Sequence, residues 1–91
     1  MYLLLEEVPM DYIVQTPIQI GIHLRSRRQA LGLTQATVAS QIGLSQKRLS
    51  VLELHPDRLS VKQLLDLASV LKLEVVLRDK SPPAARNPGE W

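Results

Sequence analysis

Four segments of the chain place apolar residues at the spacing of an amphipathic helix, and each follows a residue that suits a helix N-cap. Pro17 occupies the first helical position of the first segment, and Gln19 completes a capping box there. Gln63 completes a second box in the fourth segment. The four predicted N-caps are Thr16, Thr34, Ser45 and Ser60. The pattern predicts a mainly α fold.

The apolar stripes of these helices predict one shared core. Gly32 and Gly43 provide left-handed stops for the first two helices, and Pro56 prevents the third from continuing. The residues predicted to face inward are Ile20, Leu24, Leu31, Val38, Ala39, Ile42, Leu49, Val51, Leu52, Leu64, Leu65, Leu67, Ala68 and Leu71. Residues 16–72 are therefore predicted to form a four-helix domain.

Beyond the fourth helix the period of the apolar pattern changes from that of a helix to that of a strand. Leu73, Val75 and Leu77 alternate with residues on the other side, which predicts a strand over 73–79. A lone strand leaves its backbone unpaired, so we expect it to pair with the same strand of a second copy and build an intermolecular sheet. Pairing with residues 12–15 of the same chain is the alternative.

The two ends of the chain lack helical periodicity. Residues 1–15 read as an N-terminal extension, partly strand, and Met10 is an alternative start that would make the first nine residues an addition. Residues 80–91 contain three prolines and a glycine, so this tail is expected to be disordered by itself. It carries Trp91, which is the one tryptophan of the sequence.

The composition fits a single small domain in the cytoplasm. A chain of 91 residues buries too little surface for two independent cores. Cysteine is absent, which excludes disulfides and thiolate metal sites. The opening apolar run has no basic leader and meets acidic residues at once, and no stretch is long enough to span a membrane.

The charges are distributed unevenly along the chain, although the net charge is only +2. Residues 12–52 contain no aspartate or glutamate. The same span carries Arg25, Arg27, Arg28, Lys47 and Arg48. A basic region between acidic ends suits a polyanionic partner such as DNA. A solvated helix face is the plainer explanation of the same charges.

Helices two and three, joined by a tight glycine turn, match a helix-turn-helix unit. Ala39 is small where two helices must cross, and Gly43 permits the positive φ that the turn requires. Leu49 and Leu52 anchor the second helix of the pair to the core. In such a unit the N-terminal half of the second helix enters the major groove of DNA.

Side chains at that end of the unit are the candidates for DNA contact. The predicted DNA-binding residues are Gln35, Ser45, Gln46, Lys47, Arg48 and Ser50, with Arg25 and Arg27 as secondary phosphate contacts. Gln46 can pair with adenine, whereas Lys47 or Arg48 can address guanine or a phosphate. Gln35 is expected at the DNA backbone, although it could also be an ordinary polar residue of a helix start, and Ser45 is a plausible cap in either case.

Other chemistry finds little support in the sequence. Arg28 and Glu53 are interpreted as an ion pair that joins helix one to helix three. His23 and His55 have no nearby cluster of metal ligands, so neither a metal nor another cofactor is expected. No pairing of nucleophile and base and no phosphate-binding loop rises above chance. The sequence therefore does not indicate an enzyme.

The stretch "LRSRRQALGLTQATVASQIGLSQKRLSVLE" resembles the Xre/Cro family of helix-turn-helix regulators over about residues 16–72. Within that family the chain is similar to HipB-like antitoxins. The similarity rests on "GLSQKRLSVLE" followed by the loop "LHPDRLS", on the single strand "LKLEVVLRD", and on a tail that ends in "EW".

The resemblance implies a homodimer that binds a palindromic operator, represses its own operon at the nucleoid and holds a HipA-type kinase toxin inactive. It also implies that Trp91 docks in a hydrophobic pocket of that kinase; an incidental terminus is the alternative. A stand-alone phage-type Xre repressor without a toxin and a protein-only adaptor that never touches DNA are the competing functions.

Overall fold

The computed structural model of the protein describes residues 10–81, and this part of the chain is mainly helical. Helix α1 spans Pro17–Ala30, α2 spans Gln35–Gln41, α3 spans Gln46–Leu54 and α4 spans Val61–Val70. A short 3-10 turn, Pro56–Arg58, separates α3 from α4. The prediction of four helices is confirmed, whereas the 3-10 turn was not part of it.

The helix starts lie where the polar caps predict them. The side-chain oxygens of Thr34, Ser45 and Ser60 each accept a hydrogen bond from the backbone N–H three residues further on, at 3.0 Å in all three helices. At α1 the side-chain oxygen of Gln19 accepts from the N–H of Thr16 at 3.1 Å. Each cap satisfies a backbone group that the helix leaves unpaired, so the local sequence fixes the element boundaries.

One aliphatic core holds the four helices together. Its buried side chains are Leu24, Val38, Ala39, Leu49, Leu52, Leu67, Ala68 and Leu71. Leu65 was predicted to join them but is half exposed, because it lies about 100° around α4 from the line that Leu64 and Leu71 follow into the core. Val51 is partly buried. The broad inward face of α4 is therefore narrower than its leucine content indicates.

Helix α1 packs closely against the C-terminal end of α3. Gly21 is buried at this contact, where a side chain would collide with the backbone carbonyl of Glu53 and with the ring of Pro56. Pro56 is itself buried. The glycine thus permits a backbone-to-backbone approach that sets the position of α3 relative to α1.

The segment after α4 leaves the core in an extended form. Lys72 ends the helix with a φ of 58°, and the N–H of Leu73 donates to the carbonyl of Ala68 at 2.8 Å. Within residues 10–81 no strand is formed, so the alternative pairing of residues 12–15 with 73–79 of the same chain is not present. An exposed ion pair at 3.1 Å joins Arg78 of the extended segment to Asp11, the residue that precedes 12–15.

The predicted intermolecular strand stays a prediction. Leu73 is partly buried against the core, whereas half of Val75 and nearly all of Leu77, 98%, are exposed. A β-strand exists only through pairing, and the pairing expected here involves a second copy of the chain. Residues 1–9 and 82–91, which include most of the N-terminal extension and Trp91, lie outside the described residues.

Candidate nucleic-acid interface

Helices α2 and α3 and the turn between them form a compact helix-turn-helix unit. Gly43 adopts a φ of 74°, as the turn prediction requires. The N–H of Leu44 donates to the carbonyl of Ala39 at 2.9 Å and closes the end of α2. Val38 and Ala39 of α2 are buried with Leu49 and Leu52 of α3, so the two helices have a fixed relative orientation.

The N-terminal turn of α3 projects from this unit into solvent. Ser45, Gln46, Lys47 and Arg48 are exposed, while Ser50 is partly buried. Gln46 and Ser50 are four residues apart and share one face, and Lys47 lies beside them. Arg48 lies about 100° beyond Lys47 around the helix, on the side away from Gln46. The predicted reading residues therefore divide into a central face and one flanking cation.

A polar network, formed by Arg28, Glu53, Gln35 and Gln46, connects the core to that face. The guanidinium of Arg28 binds both carboxylate oxygens of Glu53, at 2.7 and 3.1 Å, and donates to the carbonyl of Leu33 at 3.0 Å. The predicted ion pair between α1 and α3 is thus confirmed, and both side chains are at least nine-tenths buried.

The network continues outward through two side-chain amides. The Nε2 group of Gln35 donates to Oε1 of Glu53 at 2.9 Å, and the Oε1 atom of Gln35 accepts from Nε2 of Gln46 at 2.7 Å. The sequence predicts Gln35 as a DNA-backbone contact and the ion pair as a separate structural feature. It offers one signal for a link between them, because a buried carboxylate has more acceptor sites than one arginine can fill, but it does not specify which donor fills them.

A shallow groove of about 520 Å³ lies beside the network. Its lining residues are Arg25, Arg28, Leu33, Thr34, Gln35, Ala36 and Gln46. The structure therefore brings Arg25, which is exposed, to the same surface as the start of α2 and the start of α3. A cation at this position can meet a phosphate of a strand that passes over the groove.

Arg27 does not line this groove. Its Nε group donates to the carbonyl of Leu71 at 3.0 Å, and the side chain is partly buried between α1 and the end of α4. The hydrogen bond satisfies a carbonyl that the end of a helix leaves unpaired. Of the two secondary phosphate candidates, Arg25 is thus placed at the surface in question and Arg27 is held against the core.

Within residues 10–81 no group of three or more histidine, cysteine, aspartate or glutamate side chains could hold a metal ion. In the same residues no helix is long and apolar enough to cross a membrane.

Comparison with known proteins agrees with this geometry. A family model described as helix-turn-helix matches residues 24–77. The chain is 32% identical over 82 residues to Antitoxin HipB of Escherichia coli O6:H1 (strain CFT073), and the match covers 86% of this chain and 87% of the relative. No solved structure matches at a significant level. The chain thus belongs to the Xre-type helix-turn-helix family of DNA-binding regulators, within which it is HipB-like.

Proposed function

We propose that the protein is an antitoxin-type transcriptional repressor that inserts the start of α3 into the major groove of its own operator. The observation that carries this proposal is the exposed turn of Ser45, Gln46, Lys47 and Arg48, in a span of residues 12–52 without any acidic side chain. Such a surface attracts the phosphate backbone while it offers donors and acceptors to base edges.

The roles of individual side chains follow from their places on α3. Gln46 reads adenine, and Lys47 on the same side reaches guanine or a phosphate. Ser45 is occupied as the cap, since its Oγ accepts from the N–H of Arg48, so it contributes mainly by holding the turn. Arg48 on the flank and Arg25 at the groove contact phosphates.

We further propose that the protein acts as a homodimer on a palindromic operator. The apolar side chains of Val75, Val76 and Leu77 are exposed in the single chain, and an antiparallel pairing of residues 73–79 around a two-fold axis would cover part of this surface. Two copies of α3 would then reach successive major grooves about 34 Å apart.

Dimer formation is tested by replacing Leu77 with lysine. We expect Leu77→Lys to shift the sedimentation coefficient to that of a monomer and to weaken binding to a two-half-site operator. Leu54→Lys is the matched control, because Leu54 is also an exposed leucine but lies at the end of α3. A Leu77→Lys variant that sediments like the wild type would contradict the predicted interface.

The partner is proposed to be a HipA-type kinase toxin, which the likeness to Antitoxin HipB supports. Trp91, outside the described residues, is the expected anchor, because a large rigid side chain can fill a pocket on a partner.

Binding to DNA from the protein's own upstream region tests the whole proposal. We expect tight, sequence-selective and salt-sensitive binding that changes when the proposed kinase partner is added, and that no longer responds to this kinase in a Trp91→Ala variant. Selective binding that is indifferent to the kinase would identify a stand-alone repressor. An absence of selective binding at any salt concentration would favour a protein-only adaptor.

A further inference from the structure

The orientation of the Gln46 side chain is set from within the protein by the polar network defined above. The carboxylate of Glu53 has acceptors only, so Gln35 must turn its amide nitrogen toward it. The carbonyl oxygen of Gln35 then faces Gln46, which must in turn present its own amide nitrogen. A reversed Gln46 would place two carbonyl oxygens against each other.

This orientation leaves a defined pattern of hydrogen-bonding groups for DNA. One N–H of Gln46 is used by Gln35, while its second N–H and its Oε1 atom remain for a ligand. A free N–H beside a free carbonyl oxygen matches the N7 acceptor and the N6 donor of adenine. A glutamine without the network would have to be ordered when DNA binds.

The inner end of the network is rigid. Arg28 holds both oxygens of Glu53 and also the carbonyl of Leu33, and the arginine and glutamate side chains are 10% and 5% exposed. Glu53 lies on α3 and Arg28 on α1, so the network links the packing of these two helices to the surface that faces DNA.

We propose that Glu53, held by Arg28, is a positioning residue that acts through Gln35 on the amide of Gln46 and thereby sharpens its choice of base. This inference rests on the proposed function, since it requires sequence-selective DNA binding. It assigns Arg28 and Glu53 a part in specificity in addition to their structural ion pair.

The test compares base preferences at every position of the operator by competition with DNAs that carry single base-pair changes. Gln46→Ala first identifies the base pair that Gln46 reads. The double variant Arg28→Met/Glu53→Leu then removes the inner end of the network and leaves no buried unpaired charge. Lys62→Met/Asp66→Leu is its matched control, because it removes an exposed ion pair of α4 that lies outside the network.

We expect the Arg28→Met/Glu53→Leu variant to lose preference at that one base pair by about two- to tenfold, which is the range expected for ordering one flexible side chain on binding. Its affinity for random DNA should be unchanged. In a protein that already carries Gln46→Ala, adding Arg28→Met/Glu53→Leu should not change the preference at this base pair any further. The control should retain every preference.

A second variant, Gln35→Leu, breaks the network outside the ion pair and tests the proposal even where the first variant folds poorly. We expect it to lose preference at the same base pair. A uniform loss of affinity for all sequences, with preferences intact, would assign Gln35 to phosphate binding alone and overturn the proposal.

Selective binding by the wild type, together with unchanged preferences in both network variants, would refute the positioning role and leave the proposed function standing. A wild-type protein that selects no sequence would refute the proposed function and this inference with it.

Discussion

Replacement of Gly21 by alanine tests the close approach of α1 and α3, because helix propensity alone would make alanine the more stable residue at this position. A Cβ atom at this position would lie 2.9 Å from Cγ of Pro56 and closer still to the backbone oxygen of Glu53. Neither group can rotate away, since one is a backbone carbonyl and the other a proline ring. The two helices would have to move apart to admit the methyl group.

The expected cost follows from two opposing effects. Alanine in the interior of a helix is more favourable than glycine by about 0.8–1.0 kcal/mol. Overpacking of a well-filled contact costs about 1–3 kcal/mol, and a rigid backbone neighbour places this case in the upper part of that range. We therefore expect Gly21→Ala to lower the free energy of unfolding by about 1–2 kcal/mol, which for a domain of this size lowers the melting temperature by about 4–16 °C.

Urea and thermal unfolding followed by circular dichroism measure this effect. Ser26→Ala is the matched control, because Ser26 is an exposed residue of the same helix. The control should gain a few tenths of a kcal/mol from helix propensity alone. A Gly21→Ala protein that is stabilised like the control would refute the close contact between α1 and the end of α3.

Further substitutions test three separate features by the same unfolding assays. Arg28→Met or Glu53→Leu alone should lower the free energy of unfolding by about 3–5 kcal/mol, because each leaves a buried charge unpaired. The double variant should recover most of this loss, and equal stability of all three variants would contradict a buried pair. Ser45→Ala should cost about 1 kcal/mol through loss of the cap, and an unchanged free energy of unfolding would count against it. Lys72→Gly should add up to about 1 kcal/mol, because glycine adopts the left-handed φ of this helix end without a clash, and a loss of stability would be inconsistent with that conformation.

Local chemistry made the helices predictable from the sequence. The caps at Thr34, Ser45 and Ser60 each depend on one side chain and a backbone group three residues away, so sequence spacing alone locates them. The turn at Gly43 is equally local. The Arg28–Glu53 pair was also anticipated, since an arginine and a glutamate on two helices that pack together satisfy each other.

Features that depend on tertiary approach were harder to predict. Nothing near Gly21 in the sequence indicates that Glu53 and Pro56 come close to it. The same is true of the hydrogen bond from Arg27 to the carbonyl of Leu71, which joins residues 44 positions apart and occupies a side chain that charge alone would direct to a phosphate. Leu65 shows that a leucine-rich helix can still turn one leucine toward solvent.

The exposed residues of α3 are largely predictable from the sequence, whereas the hydrogen bonds that connect them to the buried ion pair are not. Exposure of Lys47 follows from its position opposite the apolar anchors Leu49 and Leu52, and Gln46 is exposed at the N-terminal end of α3. The chain of hydrogen bonds from Glu53 through Gln35 to Gln46 requires α2 and α3 to meet at set distances. Sequence spacing therefore identified Gln46 and Lys47 as candidates for DNA contact but did not indicate how the side chain of Gln46 is oriented.

The central claim is that the exposed start of α3 recognises DNA, and fluorescence anisotropy with labelled upstream DNA tests it most directly. Titrations of the wild type, of a Gln46→Ala/Lys47→Ala variant and of a Lys62→Ala control, each at several salt concentrations, separate this surface from charge in general. We expect the wild type and the control to bind the upstream DNA selectively, and the α3 variant to bind it no better than random DNA, with a shallower salt dependence. An α3 variant that retains full selectivity would contradict the account.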